Sequence, residues 1–172
     1  MVRRKLALGA VGALVVAAGL TAMVAPSDGD HATSEQVIRV VTHTVAFGHL
    51  HLGAAHLSIG GRIPYGDDIY RAGSRMGEDG GWCVLTRTVG SAPDGHGPLA
   101  PTYECVGTYS LPGGQLTTQG LVTYGPHEDV RTEPYHLAIT GGTGKYVGAR
   151  GEVKIKEVSG TEARLTFRIA IG

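Results

Sequence analysis

The sequence predicts an all-β domain, closed into an eight-stranded antiparallel up-and-down barrel and preceded by an N-terminal signal or anchor helix. Two observations lead there. The chain carries 28 glycines and 8 prolines among many Val, Ile, Thr and Tyr residues, which suits short strands and tight turns rather than long helices. From Val37 onward, runs with two-residue alternation follow one another through short links, and their number is even. An even count favours a closed barrel without free edges, a two-sheet sandwich being the alternative.

The first segment, "MVRRKLALGAVGALVVAAGLTAMVAP", sets Arg3, Arg4 and Lys5 ahead of an uncharged apolar run from Leu6 to Ala25. That is the layout of an export signal. Small residues are expected at −1 and −3 of a cleavage site, yet Met23 stands at −3 of Ala25 and Leu20 at −3 of Ala22. A signal left uncut stays as an anchor just long enough to span a bilayer, basic end in the cytoplasm. Both outcomes make the domain secreted or extracytoplasmic. Residues 1–25 are therefore signal peptide or membrane anchor, residues 26–36 a polar linker, and residues 37–172 the barrel.

The first two strands are read in "VIRVVTHTVAF" and "HLHLGAAHLSI", followed by a long turn-rich loop, "GGRIPYGDDIYRAGSRMGEDGG". The other six are "WCVLTRTV", "TYECVGTYSL", "QLTTQGLVTY", "YHLAIT", "EVKIKEV" and "EARLTFRIAI". The last puts Leu165, Phe167, Ile169 and Ile171 on one face and Arg164, Thr166 and Arg168 on the other, so one face is buried and one is wet. A hairpin of "WCVLTRTV" with "TYECVGTYSL", turning near Asp94-Gly95, sets Cys83 and Cys105 almost opposite each other, within reach of a disulfide. In an exported chain such a bridge closes a loop of roughly 20 residues and contributes about 3 kcal/mol. Two buried thiols are the alternative.

A formal net charge of zero removes the electrostatic case for nucleic acid. The glycine-rich stretch "HLAITGGTGKYVGARGEVKI" fails as a phosphate cradle. Ile139 stands where a P-loop needs its first glycine, Tyr146 follows Lys145 in place of Ser or Thr, and Val147 breaks the dinucleotide fingerprint. The stretch reads as a corner between strands. His49 and His51 share a strand face and His56 follows, but no glutamate lies between His51 and Glu78, so no metal site is expected.

Three stretches in order, "GGRIPYGDDIYRAGSRMGEDGGWCVLTR", "GTYSLPGGQLTTQGLVTY" and "YHLAITGGTGKYVGARGEVKI", resemble the allene oxide cyclase family. The last is also similar, more loosely, to the dirigent proteins that share its barrel. The resemblance implies an apolar cavity, no metal or organic cofactor, and a homo-oligomer, trimer or dimer. Members of that family isomerise an unstable fatty-acid epoxide into a cyclopentenone. Dirigents steer radical or quinone-methide couplings, and bacterial relatives act as cyclases in polyketide pathways.

Carried over by position, Pro64 matches a family proline, Asp67 stands where the plant enzymes have a water-holding asparagine, and Cys83 falls on an interior cysteine. Tyr124 matches a pocket tyrosine. The plant enzymes' first-strand carboxylate is absent, and Thr42, His43 and Thr44 occupy its place. The resemblance thus nominates His43, Asp67 and Tyr124 as catalytic, with His43 and Asp67 an acid–base pair, and Pro64, Tyr65 and Cys83 as substrate-binding. Each has a plainer reading: a solvent-facing histidine, a turn-forming aspartate beside Asp68, tyrosines packing the barrel. Trp82 points away from Cys83 and suits a subunit contact. The implied function is a cofactor-free cyclase or isomerase, or dirigent-like steering, on an apolar oxylipin- or polyketide-like intermediate. The alternatives are an exported carrier of an apolar small molecule and a secreted structural or interaction module with a filled barrel.

Overall fold

The computed structural model describes residues 34–172 except 53–57, 91–99 and 126–129. The expected signal or anchor, and most of the linker, lie outside the described residues. Eight strands follow in chain order: β1 (Ser34–Phe47), β2 (Arg62–Arg71), β3 (Ser74–Arg87), β4 (Thr102–Leu111), β5 (Gly114–Thr123), β6 (Tyr135–Gly142), β7 (Arg150–Ser159) and β8 (Glu162–Ile171). Each pairs antiparallel with the next and β8 pairs with β1, closing the barrel.

The second strand is not where the alternation placed it. β2 lies inside the stretch read as a loop, and β3 begins at Ser74 rather than at Trp82. Of the expected strand at 49–59, residues 53–57 lie outside the described residues, and Leu50 makes a single bridge to Arg62. The cause is chemical. β2 holds Pro64, Gly66, Asp67 and Asp68, which read as turn formers. Between inward Ile63 and Ile69 it carries Tyr65 and Asp67 toward a cavity instead of further aliphatic side chains. The tight turn that follows uses Ala72 (φ 50°) and Gly73 (φ 80°), both left-handed as a two-residue hairpin requires. Alanine gives no warning of that geometry.

The glycine-rich stretch is a corner. Between β6 and β7 a short 3₁₀ turn (Gly144–Tyr146) packs on the β4–β5 turn, where Thr143 N–H donates to Gln115 O and Lys145 N–H to Gly113 O, both at 2.8 Å. A side chain on Gly114 would collide with the Thr143 carbonyl, so this close approach requires glycine. The corner also delivers Tyr146, 1% exposed, into the core.

Alternation decides what faces inward. Ile38 and Val40 of β1, Leu165, Phe167 and Ile169 of β8, and Val153 of β7 are buried, while Arg164 and Arg168 are exposed. Connections 72–73, 112–113 and 143–149 lie at one end, and the longer connections 48–61, 88–101 and 124–134, with the short turn 160–161, at the other. The end with tight turns is filled by Ile69, Leu111, Leu116, Phe167, Ile169 and Tyr146. The other end is hollow.

Candidate active site

The hollow is a cavity of about 180 Å³ inside the barrel. Its walls build up in layers from the strand register. One layer in from Leu85 and Tyr103, Cys83 of β3 and Cys105 of β4 are direct cross-strand partners, joined by a disulfide with their Cα atoms 4.0 Å apart. The bridge predicted from the sequence exists and forms part of the cavity wall.

One layer deeper, Tyr65 of β2 is in register with Gly81 of β3, which pairs with Gly107 of β4. A Cβ at Gly81 or at Gly107 would come within 2.8 Å of the Tyr65 hydroxyl. The two glycines form a slot across which the tyrosine lies, its O–H donating to Val106 O at 3.4 Å.

The next layer holds the chemistry. Thr44, Asp67, Asp79 and Tyr109 are successive cross-strand partners on β1 to β4. Asp79 is only 9% exposed. Burial, then the charge of Asp67, then their shared hydrogen bond push its carboxyl up to about 8. Asp67 is also raised, mainly by burial, against hydrogen bonds from Thr44 and Asp79 and the influence of His43 through the wall. Asp79 therefore keeps its proton at neutral pH and donates it to Asp67. Each carboxyl keeps an Oδ1 without a protein partner. Burial raises the hydroxyls of Tyr65 and Tyr109 as well, so both stay neutral.

Tyr124 lies at the open end, its ring edge-on to Tyr103 at 5.9 Å and its hydroxyl donating to Glu157 Oε1 at 2.9 Å. Burial and Glu157 raise its pKa. The Arg131 guanidinium sits 6.0 Å from the Tyr124 ring and 5.5 Å from the Tyr135 ring, and its backbone N–H donates to Glu157 Oε2 at 2.7 Å.

Asp67, Tyr65, Cys83 and Tyr124 thus line one cavity. His43 and Pro64 do not. On β1 the inward residues are Thr42 and Thr44, so His43 is exposed on the outer face, edge-on to Tyr70 at 5.2 Å. Pro64 stands opposite Trp82, which is 49% exposed, on the outer side of the wall. The pairing of His43 with Asp67 is corrected by this register. The partner of Asp67 is Asp79, which the sequence reading left inside a loop. His49 and His51 stack at 6.0 Å outside the cavity, and no metal-binding cluster is found among the described residues; His56 lies outside them.

Solved structures share this architecture. A pyocyanin demethylase is 24% identical over 78% of this chain and 99% of its own, with a TM-score of 0.62. An exo-specific intermolecular Diels–Alderase is 14% identical over 80% and 98%, at 0.59. A pterocarpan synthase dirigent protein is 16% identical over 80% and 84%, at 0.53. Among curated proteins none matches the chain. The family model for the allene oxide cyclase barrel like domain matches residues 34–171, the whole of the closed barrel from β1 to β8, and the chain belongs to that family.

Proposed function

We propose that this barrel is a cyclase or isomerase, or a dirigent-like steering protein, that folds a largely apolar small molecule inside its cavity and moves a proton on it. The observation that carries this reading is the Asp67–Asp79 pair, cross-strand partners that both line the cavity. Asp79, neutral at physiological pH, is the general acid that donates to a carbonyl or leaving oxygen. Asp67 is the general base that takes the proton released as the bond rearranges, and their mutual hydrogen bond restores the starting state. Tyr65 holds one side of the substrate, and the apolar walls impose its conformation and exclude water. Tyr124, tied to Glu157, closes the open end.

The names carried by the similar structures, a demethylase, a Diels–Alderase and a pterocarpan synthase, support small-molecule transformation as the kind of work this barrel does. The Cys83–Cys105 bridge supports action outside the cytoplasm, as the charged and apolar N-terminal segment suggests. Half-exposed Trp82 supports assembly into a homo-oligomer.

The test is native mass spectrometry of the exported protein after incubation with extract of its producing cells. A product isomeric with its precursor, or dehydrated from it, formed faster than in buffer and lost with Asp79→Asn, is the expected result. A bound molecule that leaves unchanged overturns catalysis in favour of a carrier, and no bound molecule points to a structural module.

A further inference from the structure

Deepening the acid–base reading above, we propose that the cavity takes a positively charged ligand, an apolar or aromatic body carrying a protonated or quaternary nitrogen that docks against Asp67. Three observations carry this.

The described lining of the cavity contains two carboxyl groups and no Lys, Arg or His. A buried anion is normally neutralised by a basic side chain, because leaving it bare costs solvation. Here the nearest bases are elsewhere. His43 is on the outer face, Arg75 is taken by Asp68 and Glu78 outside the barrel, and Arg131 lies over tyrosine rings at the open end with Glu157 beside it.

Asp79 is nine-tenths buried, and its Oδ1, like that of Asp67, is enclosed without a protein partner on a residue that lines the cavity. A buried acceptor left unpaired in this way is completed when a donor seats beside it.

Tyrosines 65, 103, 109, 124 and 135 supply much of the remaining surface. Their hydroxyls remain neutral, so the rings contribute π faces that attract a cation without adding charge. Aromatic walls beside a carboxyl pair, with no Lys, Arg or His in the described lining, suit a cation.

The groups facing the pair are Thr44 from β1, Tyr65 from β2 and Tyr109 from β4, with His43 behind the wall. A cation arriving at Asp67 favours loss of the proton held by Asp79. Binding therefore releases up to one proton per site near neutral pH.

The experiment compares two probes of one shape on the exported protein, phenyltrimethylammonium and the uncharged tert-butylbenzene, with affinities read from NMR shift changes. Proton release is read by calorimetry in buffers of different ionisation heat. The cation is expected to bind at least tenfold more tightly and to release protons, and Asp67→Asn to reduce the preference to twofold or less. Should that variant fail to fold, Asp79→Asn, which keeps the carboxylate of Asp67, is expected to retain the preference and abolish proton release. Equal binding of the two probes, tighter binding of the hydrocarbon, or binding of neither overturns the cationic class. Those results leave standing any Asp79-dependent turnover seen with cell extract, whereas a cation preference without turnover removes the acid–base reading and keeps the cation site.

Discussion

Asp67 on β2 and Asp79 on β3 are direct cross-strand partners, two carboxyl groups turned toward the same cavity with no base between them. Like charges at that spacing repel, and in water-poor surroundings one of the two keeps its proton. The fold carries this arrangement at a cost to its own stability.

That cost sets the pH dependence. The folded-state value of Asp79, about 8, lies above the ordinary 3.8, so between those values the unfolded chain has released a proton that the folded chain retains. The contribution of Asp79 to stability then falls as pH rises from about 4 to 8, by at most about 1.4 kcal/mol per pH unit, and is fully present only in acid, where both states are protonated. Urea midpoints measured across that range should decline, and Asp79→Asn should flatten the decline. The same substitution should lower turnover by about 10²–10⁴-fold, the usual contribution of a general acid.

The slot beneath Tyr65 makes a second expectation. Gly107→Ala places a methyl group 2.8 Å from the tyrosine hydroxyl and 3.3 Å from Thr118 Oγ1. Overpacking of this kind costs about 1–3 kcal/mol. Adding Tyr65→Phe removes the atom that clashes, so the double variant should be more stable than Gly107→Ala alone. Additive losses in thermal melts would show that the hydroxyl is not what occupies the slot.

Reduction of Cys83–Cys105 opens a link across 22 residues of sequence. The expected loss is about 3 kcal/mol, seen as a lower urea midpoint with reductant or in Cys83→Ala/Cys105→Ala. Because both residues line the cavity, ligand affinity should weaken alongside stability. An unchanged affinity would place the ligand wholly below the bridge.

Much of the barrel could be read from residues whose neighbours agree with them. β8 shows its buried face in Leu165, Phe167 and Ile169. Cys83 and Cys105 reveal their register through the hairpin they share, and the corner at Gly144 betrays itself by failing every phosphate pattern. The losses lie where a cavity replaced packing. β2 and the first half of β3 carry Gly66, Asp67, Asp79, Gly80 and Gly81, residues that suit a cavity and resemble a loop. With those strands unseen, Asp79 had no partner, and the inward face of β1 could not be chosen between Thr42/Thr44 and His43. One feature would have supplied both: a two-residue turn at Ala72-Gly73 sets Asp67 and Asp79 equally far from it, give or take the bulge at Ile69/Tyr70. Alanine at φ 50° conceals that turn.

The long connections gather at one end of the barrel and the acid pair sits midway down its interior. Under the proposed acid–base reading, selection and reactivity are lodged in separable parts of one small fold: exchanges in the segments between β1 and β2, β3 and β4, or β5 and β6 change the rim, while the carboxyl groups stay in the paired ladder of β2 and β3.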